Sequence, residues 1–458
     1  MRPIVLWSDI LIYLLVIGLV LLFTLFKPNP QTRAHWAQVF SSKMGSATFL
    51  VLCVYVFIAL LDSLHFQKAL PKGADDQVFY SSEVLSVLDW VHLEQRNKQE
   101  KTYSAPFALY AFAKENMHTE DGQLYRDYPR LKYGGRHLNN ADERGADIAR
   151  RSGLAIAKGA LYGSFLVAIL LRLQRRHVAP SAAPKATIYG LLFAIVVLWV
   201  WVLELGPHYH IMGTDKVGAD VLYQSIKSIR TGVLIGSLAT LLTLPFAIGL
   251  GICAGYFKGR VDDAVQYLYT TLSSIPDILL IAAAVLVIDV YIENHAQTFS
   301  LTAYRADFKF LALCTIFGLT SWTGLCRLLR AETLKVSQLD YVTAATAFGV
   351  SHAGIIIKHI LPNVMHLVII SVVLNFSTFV LAESVLSYIG VGVDQSINSW
   401  GNMINSARQE LSRDPTVWWS IFSAFMFMFI LVLSANLFSD RVRDAFDPRM
   451  TQSGDTDT

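Results

Sequence analysis

Charge is scarce in this 458-residue chain: Asp, Glu, Lys and Arg make up 16% of it, against 53% hydrophobic residues. The net charge is only +3, and no Lys/Arg block interleaved with aromatics occurs, which excludes a nucleic-acid surface. Cysteine is scarce too. Cys53, Cys253, Cys314 and Cys326 lie in or beside apolar runs and form no CxxC or Cys/His cluster, so they are read as small buried apolar residues and no metal site is expected. No GxxxxGK[ST] is present, so the chain cannot cradle nucleotide phosphates through a P-loop. GxSxG, HExxH and paired carboxylates within a soluble domain are missing as well, so neither enzyme chemistry nor a cofactor is expected. Mid-span charge is nearly absent and no inverted repeat is evident, which speaks against a secondary transporter. Any energy must then come from another chain.

What the chain does have is long apolar runs. They fall near 7–26, 46–66, 153–171, 187–205, 230–256, 269–292, 309–329, 363–389 and 417–438. About nine spans are expected, all helical, because lipid tolerates only segments that satisfy their own backbone. Trp7 to Phe26 is too long for a signal h-region and leads into Lys27-Pro28-Asn29-Pro30 with no small-residue cleavage site, so it predicts a retained span. Cations in short loops orient the spans. The loops 172–186 (Arg172, Arg175, Arg176, Lys185), 257–268 (Lys258, Arg260) and 330–362 (Arg330, Lys335, Lys358) are expected in the cytoplasm. They agree across the spans between them. They also put 27–45 (Lys27, Arg33, Lys43) and the C-terminal tail inside, and the N-terminus and 67–152 outside.

Residues 67–152 exceed the roughly 60 residues to which the positive-inside rule applies. Helix-like stretches cover Glu83 to Arg96 and Pro106 to Glu115, followed by a Tyr/Arg-rich tract from Tyr125 to Tyr133. That tract is read as an amphipathic loop packed on the membrane face, with a partner contact as the alternative. His118 and His137 lack ligand spacing, and His208 and His210 alternate with no third ligand nearby, so all are read as structural. After 206–229 comes a surface helix expected from near Ala219. Gly236, Gly249, Gly251 and Gly255 supply small faces for helix packing, and Pro245 and Pro276 kink or interrupt their helices. Asp277 and Glu383 lie at or near the membrane boundary; at a span's centre such a charge costs about 2.5–3.5 kcal/mol. Each is a candidate for a translocation path, the alternative being a structural hydrogen bond near the interface.

Between two spans lies Asp340 to Asn363, DYVTAATAFGVSHAGIIIKHILPN. Ala344, Ala345 and Phe348 share one face at helical spacing, Gly349 breaks the helix, Ser351 can cap a second, and Pro362 opens the next apolar run. The pattern predicts a helix-turn-helix at the membrane surface, where a motor on a separate chain would dock.

This stretch resembles the EAA loop of ABC-importer permeases, which in that family forms the coupling helix that docks on the ATPase subunit. Ala344, Ala345, Gly349, Leu361 and Pro362 match, with Thr343 in place of Glu. The resemblance extends over about 206–450. Met212-Gly213-Thr214-Asp215, Gly218 and Asp220-Val221-Leu222 are similar to the GTDxxGRDVL segment of C-type subunits of dipeptide, oligopeptide and nickel importers, with Ala219 in place of Arg. Gly255-Tyr256-Phe257, Val261-Asp262-Asp263, Ile275-Pro276 and His359 to Asn363 follow the same pattern. So do Ala382-Glu383-Ser384, Leu386 to Gly392, Ser399-Trp400-Gly401, Asn436, Asp440, Arg443-Asp444 and Asp447-Pro448-Arg449, with Ser439 where Gly is usual. Residues 1–180 lie outside the resemblance.

The resemblance implies an all-α polytopic membrane protein: a type-I ABC importer permease core of about six helices over 187–445, preceded by three further spans. The expected segments are a transmembrane hairpin at 1–66, a periplasmic segment at 67–152, a third span and cytoplasmic loop at 153–186, and a cytoplasmic tail at 446–458. The implied protein is a non-catalytic subunit in the bacterial inner membrane, surrounded by lipid and moving di- or oligopeptides. It would pair with a B-type permease and receive cargo from a periplasmic binding protein on the 206–229 and 391–415 side. Two cytoplasmic ATPases would dock at Ala344, Ala345, Phe348, Gly349, Leu361 and Pro362. A nickel or metal-chelate importer is the alternative inside the family. Outside it stands a non-transporting scaffold or sensor working through 67–152.

Overall fold

The computed structural model describes the whole chain except residues 1, 26–29, 70–79, 119–123, 175–183, 296, 298, 300–301, 413–414 and 447–458. Lys27, Arg175, Arg176 and the Asp447-Pro448-Arg449 match therefore lie outside the described residues. In chain order the elements begin with β1 (Arg2–Ile4), α1 (Trp7–Leu25), α2 (Pro30–Ser41), α3 (Lys43–Asp62), β2 (His65–Ala69) and β3 (Tyr80–Ser86). Then come α4 (Val87–Val91), α5 (Leu93–Asn97), β4 (Glu115–His118), β5 (Leu124–Asp127), α6 (Arg144–Gln174) and α7 (Lys185–Leu205). The remainder is helical: α8 (Val221–Phe257), α9 (Gly259–Ser273), α10 (Asp277–Asn294), α11 (Thr302–Thr320), α12 (Thr323–Val336), α13 (Asp340–Ala347) and α14 (His352–Ile355). The last three are α15 (Leu361–Ile389), α16 (Trp400–Ala407) and α17 (Trp419–Phe446).

Among the described residues, seven helices are long and apolar enough to span a membrane, and α9 with α10 makes an eighth only as a pair bent by 81°. The apolar run at 269–292 is thus interrupted at Pro276, as expected of that proline. Pro276 is the N-cap of α10 and cannot donate to the preceding turn, so α9 ends before it and α10 starts afresh. Pro245, by contrast, is carried inside the 37-residue α8. That helix runs unbroken from Val221, so no separate surface helix forms near Ala219. The first expected run forms α1, a single helix over Trp7–Leu25.

Polar residues inside α8 bond back to their own helix. Ser237, Thr240 and Thr243 donate to the carbonyls of Val233, Gly236 and Ala239 at 2.6, 2.6 and 2.8 Å. Each hydroxyl is thereby satisfied without water, as a lipid environment requires.

The chain forms two compact units. One comprises 1–5, 40–231 and 398–431. In it β1, β2 and β3 form an antiparallel sheet, and β4 and β5 form a separate hairpin. The expected helix over Pro106 to Glu115 is not formed. The stretch runs as turns and irregular backbone into β4, and the Glu83 to Arg96 stretch divides between β3, α4 and α5. Gly159 and Gly163 let α6 meet α7 closely, since an added Cβ would stand 2.8 Å from Val197 Cα and from the Phe193 ring respectively.

The other unit comprises 6–39, 232–397 and 432–458. Its core gathers Ala247, Ile252 and Ala254 of α8, Val265 and Tyr269 of α9, Cys326 and Leu329 of α12, and Val364 and Val368 of α15. Gly251 and Gly255 permit the α8–α12 approach: an added Cβ would meet Cys326 O at 2.8 Å and Thr333 Cβ at 2.6 Å. Gly236 likewise faces Phe376, whereas nothing lies within 4 Å of a Cβ on Gly249. The N-terminal extension reaches this unit as well, where Ser8 N–H donates to Asp307 Oδ2 of α11 at 3.3 Å and His35 of α2 stacks on Phe446.

Candidate functional site

The Asp340–Asn363 stretch folds as two short helices about a tight turn. Residues Asp340 to Ala347 form α13, and the hydroxyls of Thr343 and Thr346 bond back to the carbonyls of Asp340 and Val342 at 2.9 and 3.0 Å. Gly349 ends the helix at φ +77°, a conformation that costs a non-glycine residue about 1–2 kcal/mol. Its N–H donates to Thr346 O at 3.0 Å and that of Val350 to Ala345 O at 3.1 Å, the paired closure of a Schellman motif. Ser351 caps α14 by accepting from Gly354 N–H at 3.3 Å. Pro362 has no N–H to donate to the carbonyl of Lys358, and the chain before it winds as a π turn over Ile356–Ile360 before α15 begins.

This element is anchored on one face and open on the other. Val342, Ala345, Ile355 and Ile360 enter the hydrophobic core beneath it, and Leu361 packs partly buried against the same core. Ala344 and Phe348 point outward with Thr343, so Ala345 does not share their face as expected; adjacent helical residues diverge by about 100°. Phe348 is 87% exposed, more than any other large apolar side chain among the described residues. Pro362 is also exposed.

Side-chain bonds brace the two helices. Tyr256 OH meets His352 Nδ1 at 2.8 Å, and Asn363 Nδ2 donates to Tyr341 OH at 3.0 Å and to His359 O at 2.6 Å. Beneath them Arg330 of α12 forks onto Asp262 of α9, with Nη2 to Oδ2 at 2.7 Å and a second bond from Nε to Oδ1. This bidentate pair fixes α9 against the helix that leads into α13.

The two path candidates are placed differently. Asp277 is exposed in the first turn of α10. Glu383 is 1% exposed inside α15, where Ser387 Oγ donates to Oε1 at 2.7 Å and Ser384 Oγ to Oε2 at 3.4 Å. Gly392 makes room for that arrangement, since a Cβ there would come within 2.0 Å of Ser387 Oγ.

In the first unit, residues 99–107 are built into the loop at Met212–Leu222. Glu100 N–H donates to Gly218 O at 2.9 Å, Thr214 N–H to Ser104 O at 3.1 Å and Phe107 N–H to His210 O at 2.9 Å. Gly218 and Gly213 hold φ of +76° and +70°, and a Cβ on them would meet Glu100 O at 1.9 Å and Ser104 O at 2.4 Å. His210 lies buried between two carboxylates: Nδ1 is 2.9 Å from Asp220 Oδ2 and Nε2 is 3.4 Å from Glu100 Oε1. The first is a hydrogen bond; the second, long for one, acts through charge. Burial opposes the imidazolium, but the bond to Asp220 and the Glu100 carboxylate outweigh it and raise His210 to about 9. Burial likewise opposes the Glu100 carboxylate. His210 and the backbone N–H groups of Tyr133, Lys132 and Gly134 overcome it and hold Glu100 at about 2. His208 does not join this group, and its carbonyl accepts from Gly135 N–H at 2.8 Å.

Residues 247–452 match the family of binding-protein-dependent transport system inner membrane components. The oligopeptide transport system permease protein OppC of Haemophilus influenzae is 30% identical over 241 residues, covering 53% of this chain and 71% of that protein. The chain belongs to this permease family. A dipeptide transport system permease protein DppC of Bacillus subtilis is 26% identical over 333 residues, 68% of this chain and 92% of its own length. A second DppC, from Alkalihalophilus pseudofirmus, is 29% identical over 241 residues, 53% of this chain and 72% of its own length. The permease is thus a helical, multi-pass inner-membrane transport subunit of the ABC importer class. Around its Met212–Leu222 loop, Glu100 and Ser104 are the residues that sequence reasoning missed. No local pattern marks them, because their partners lie more than a hundred positions along the chain.

Proposed function

We propose that this permease forms half of the translocation path of an ATP-driven importer of di- or oligopeptides, with a B-type permease as the other half. Two separate ATPases supply the energy by docking on 340–363, in the cytoplasm. The observation that carries this reading is the exposed Phe348, presented on a turn fixed by Gly349 and on a helix whose inner face enters the core. A bulky apolar knob on a rigid mount suits insertion into a groove on a partner. The π turn and Pro362 then pass any displacement into α15. Peptide cargo is proposed from the relatives, which are named oligopeptide and dipeptide permeases.

A binding protein would deliver cargo on the opposite side, where 99–107 and 212–222 form one structure. Asp277, exposed and charged at a helix start, is proposed to border the path. Glu383, satisfied by serine hydroxyls within its own helix, is proposed to shape α15 instead.

Co-purification with candidate ATPases, then peptide-stimulated ATP hydrolysis in liposomes, tests the coupling. Phe348→Ser should abolish co-purification, and retention of full coupling by that variant would refute the docking assignment. Sidedness is tested separately with Lys101→Cys in a background lacking the four native cysteines: the side chain at 101 is 79% exposed, so labelling from the periplasm is expected. Labelling only from the cytoplasm would overturn the orientation.

A further inference from the structure

Two adjoining cavities lie among α3, α4 and α7 of the first unit, apart from the regions described above. A cavity of about 300 Å³ opens between α3 and α7, walled by Phe57, Leu61, Leu192, Val196 and Trp199 and reaching Val91 of α4. Its lining is apolar throughout. A second cleft of about 380 Å³ shares Val91 and is lined by Trp90, His92, Glu94 and Gln95 against Leu203 and Pro207. The helix α4 closes over the C-terminal ends of both spans. Ser86 Oγ, its N-cap, donates to Asp62 Oδ1 at 2.6 Å, and the His92 ring meets Trp199 edge to face at 5.2 Å.

His92 stands in the wall of the polar cleft with one nitrogen unused. Gln95 Nε2 donates to Val202 O at 3.5 Å, so its Oε1 is the atom 2.5 Å from His92 Nδ1. That nitrogen must carry the proton. Burial also keeps the ring below its ordinary pKa, against the pull of Gln95 and the charges of Asp220 and Asp89, so it stays neutral and Nε2 is a bare acceptor. It is buried and has no partner. An unmet buried acceptor costs about 1–3 kcal/mol, so a donor that reaches Nε2, shielded as it is when the cleft is empty, is favoured.

We propose that these cavities are one lipid site: an acyl chain lies between α3 and α7, and a headgroup carrying an N–H or O–H donor fills the cleft at His92. Both walls of the apolar cavity are membrane spans, so hydrocarbon is the medium that fills it. The cleft lies at their ends, at headgroup depth, with Trp90 64% exposed beside it as aromatic side chains are at that depth. Glu94 brings a carboxylate to the cleft, which suits an amine, and the Lys98 ammonium lies 3.6 Å from it. The lipid would come from the leaflet on the side of 67–152.

The test is native mass spectrometry of the full-length protein with phosphatidylethanolamine, phosphatidylglycerol and phosphatidylcholine of identical chains. The first offers an ammonium donor, the second hydroxyl donors, and the third no donor. Wild type should retain one or both donor lipids about tenfold better than phosphatidylcholine, the worth of one hydrogen bond. Preference for the first alone assigns an ammonium, and for the second alone a hydroxyl. His92→Phe, which keeps a ring against Trp199, should abolish the preference while lipid still binds. Val196→Phe, which fills the cavity from the α7 side, should lower retention of all three. Equal binding of the three lipids by wild type would overturn the headgroup assignment, and undiminished retention by Val196→Phe would overturn the acyl-chain cavity.

Discussion

His210 Nε2 stands 3.4 Å from the Glu100 carboxylate, and this pair ties residues 67–152 to the stretch that leads into the Met212–Leu222 loop. With Asp220 on the other ring nitrogen, the imidazolium is enclosed between two carboxylates, all three nearly inaccessible to water. Charge, geometry and burial make this contact one of the points at which 67–152 is held, beside the bonds of Ser104 to Thr214 and of Asp89 to Tyr223.

Its stability should depend on pH. His210 is raised to about 9 from an ordinary 6.5, so its contribution is complete below about pH 6.5 and is lost as pH rises through about 9. Glu100 is lowered to about 2 from 4.5, so its contribution is complete above about pH 4.5 and is lost as pH falls through about 2. Thermal unfolding of wild type and His210→Gln should differ most between pH 5 and 6.5 and converge near pH 10. Breaking such a buried pair costs roughly 3–5 kcal/mol. An equal gap at all pH values would refute an ionised His210.

Gly218→Ala should detach the extension from the loop. The new Cβ would overlap Glu100 O at 1.9 Å, and φ +76° is strained for alanine. Limited proteolysis around Lys98 and Lys101 should accelerate, with the α6–α7 hairpin left protected.

Phe348→Ser and Gly349→Ala should separate docking from folding. Phe348 is 87% exposed, so its replacement should shift the unfolding temperature little while removing ATPase co-purification. Gly349→Ala meets no neighbour within 4 Å but must hold φ +77°, so it should destabilise the turn by about 1–2 kcal/mol. Hydrogen exchange at Gly349 and Val350, whose N–H groups close the turn, reads that loss directly.

Arg330→Lys should loosen α9 although it conserves charge. Lysine cannot span both Asp262 oxygens, so one of two charge-assisted bonds is lost, about 1.5–3 kcal/mol. Faster exchange in α9, with α12 retained, is the expected readout.

Much of the permease was legible in its residue order because the signals are local. Apolar run length marked the spans, and Gly349, Ser351 and Pro362 punctuated the surface element as the backbone does. Small residues at Gly251 and Gly255 announced close helix packing, and the structure supplied Cys326 and Thr333 as what they pack against. Local signals also misled. Pro245 and Pro276 read alike, yet one is absorbed within α8 and the other separates helices bent by 81°.

Tertiary structure alone decided the pairings. Nothing near Glu100 names His210 as its partner, and nothing near His92 shows that Gln95 occupies one nitrogen and leaves the other bare. Which of Ala344 and Ala345 turns inward likewise depends on where Ile355 and Ile360 lie beneath α13. The sequence by itself determined the membrane class and the outline of the helix-turn-helix at 340–363, because hydropathy, helix breaking and capping act over a few residues. The burial of Glu383, the seating of 99–107 on the Met212–Leu222 loop and the cleft at His92 required the fold, because each depends on segments brought together only by packing.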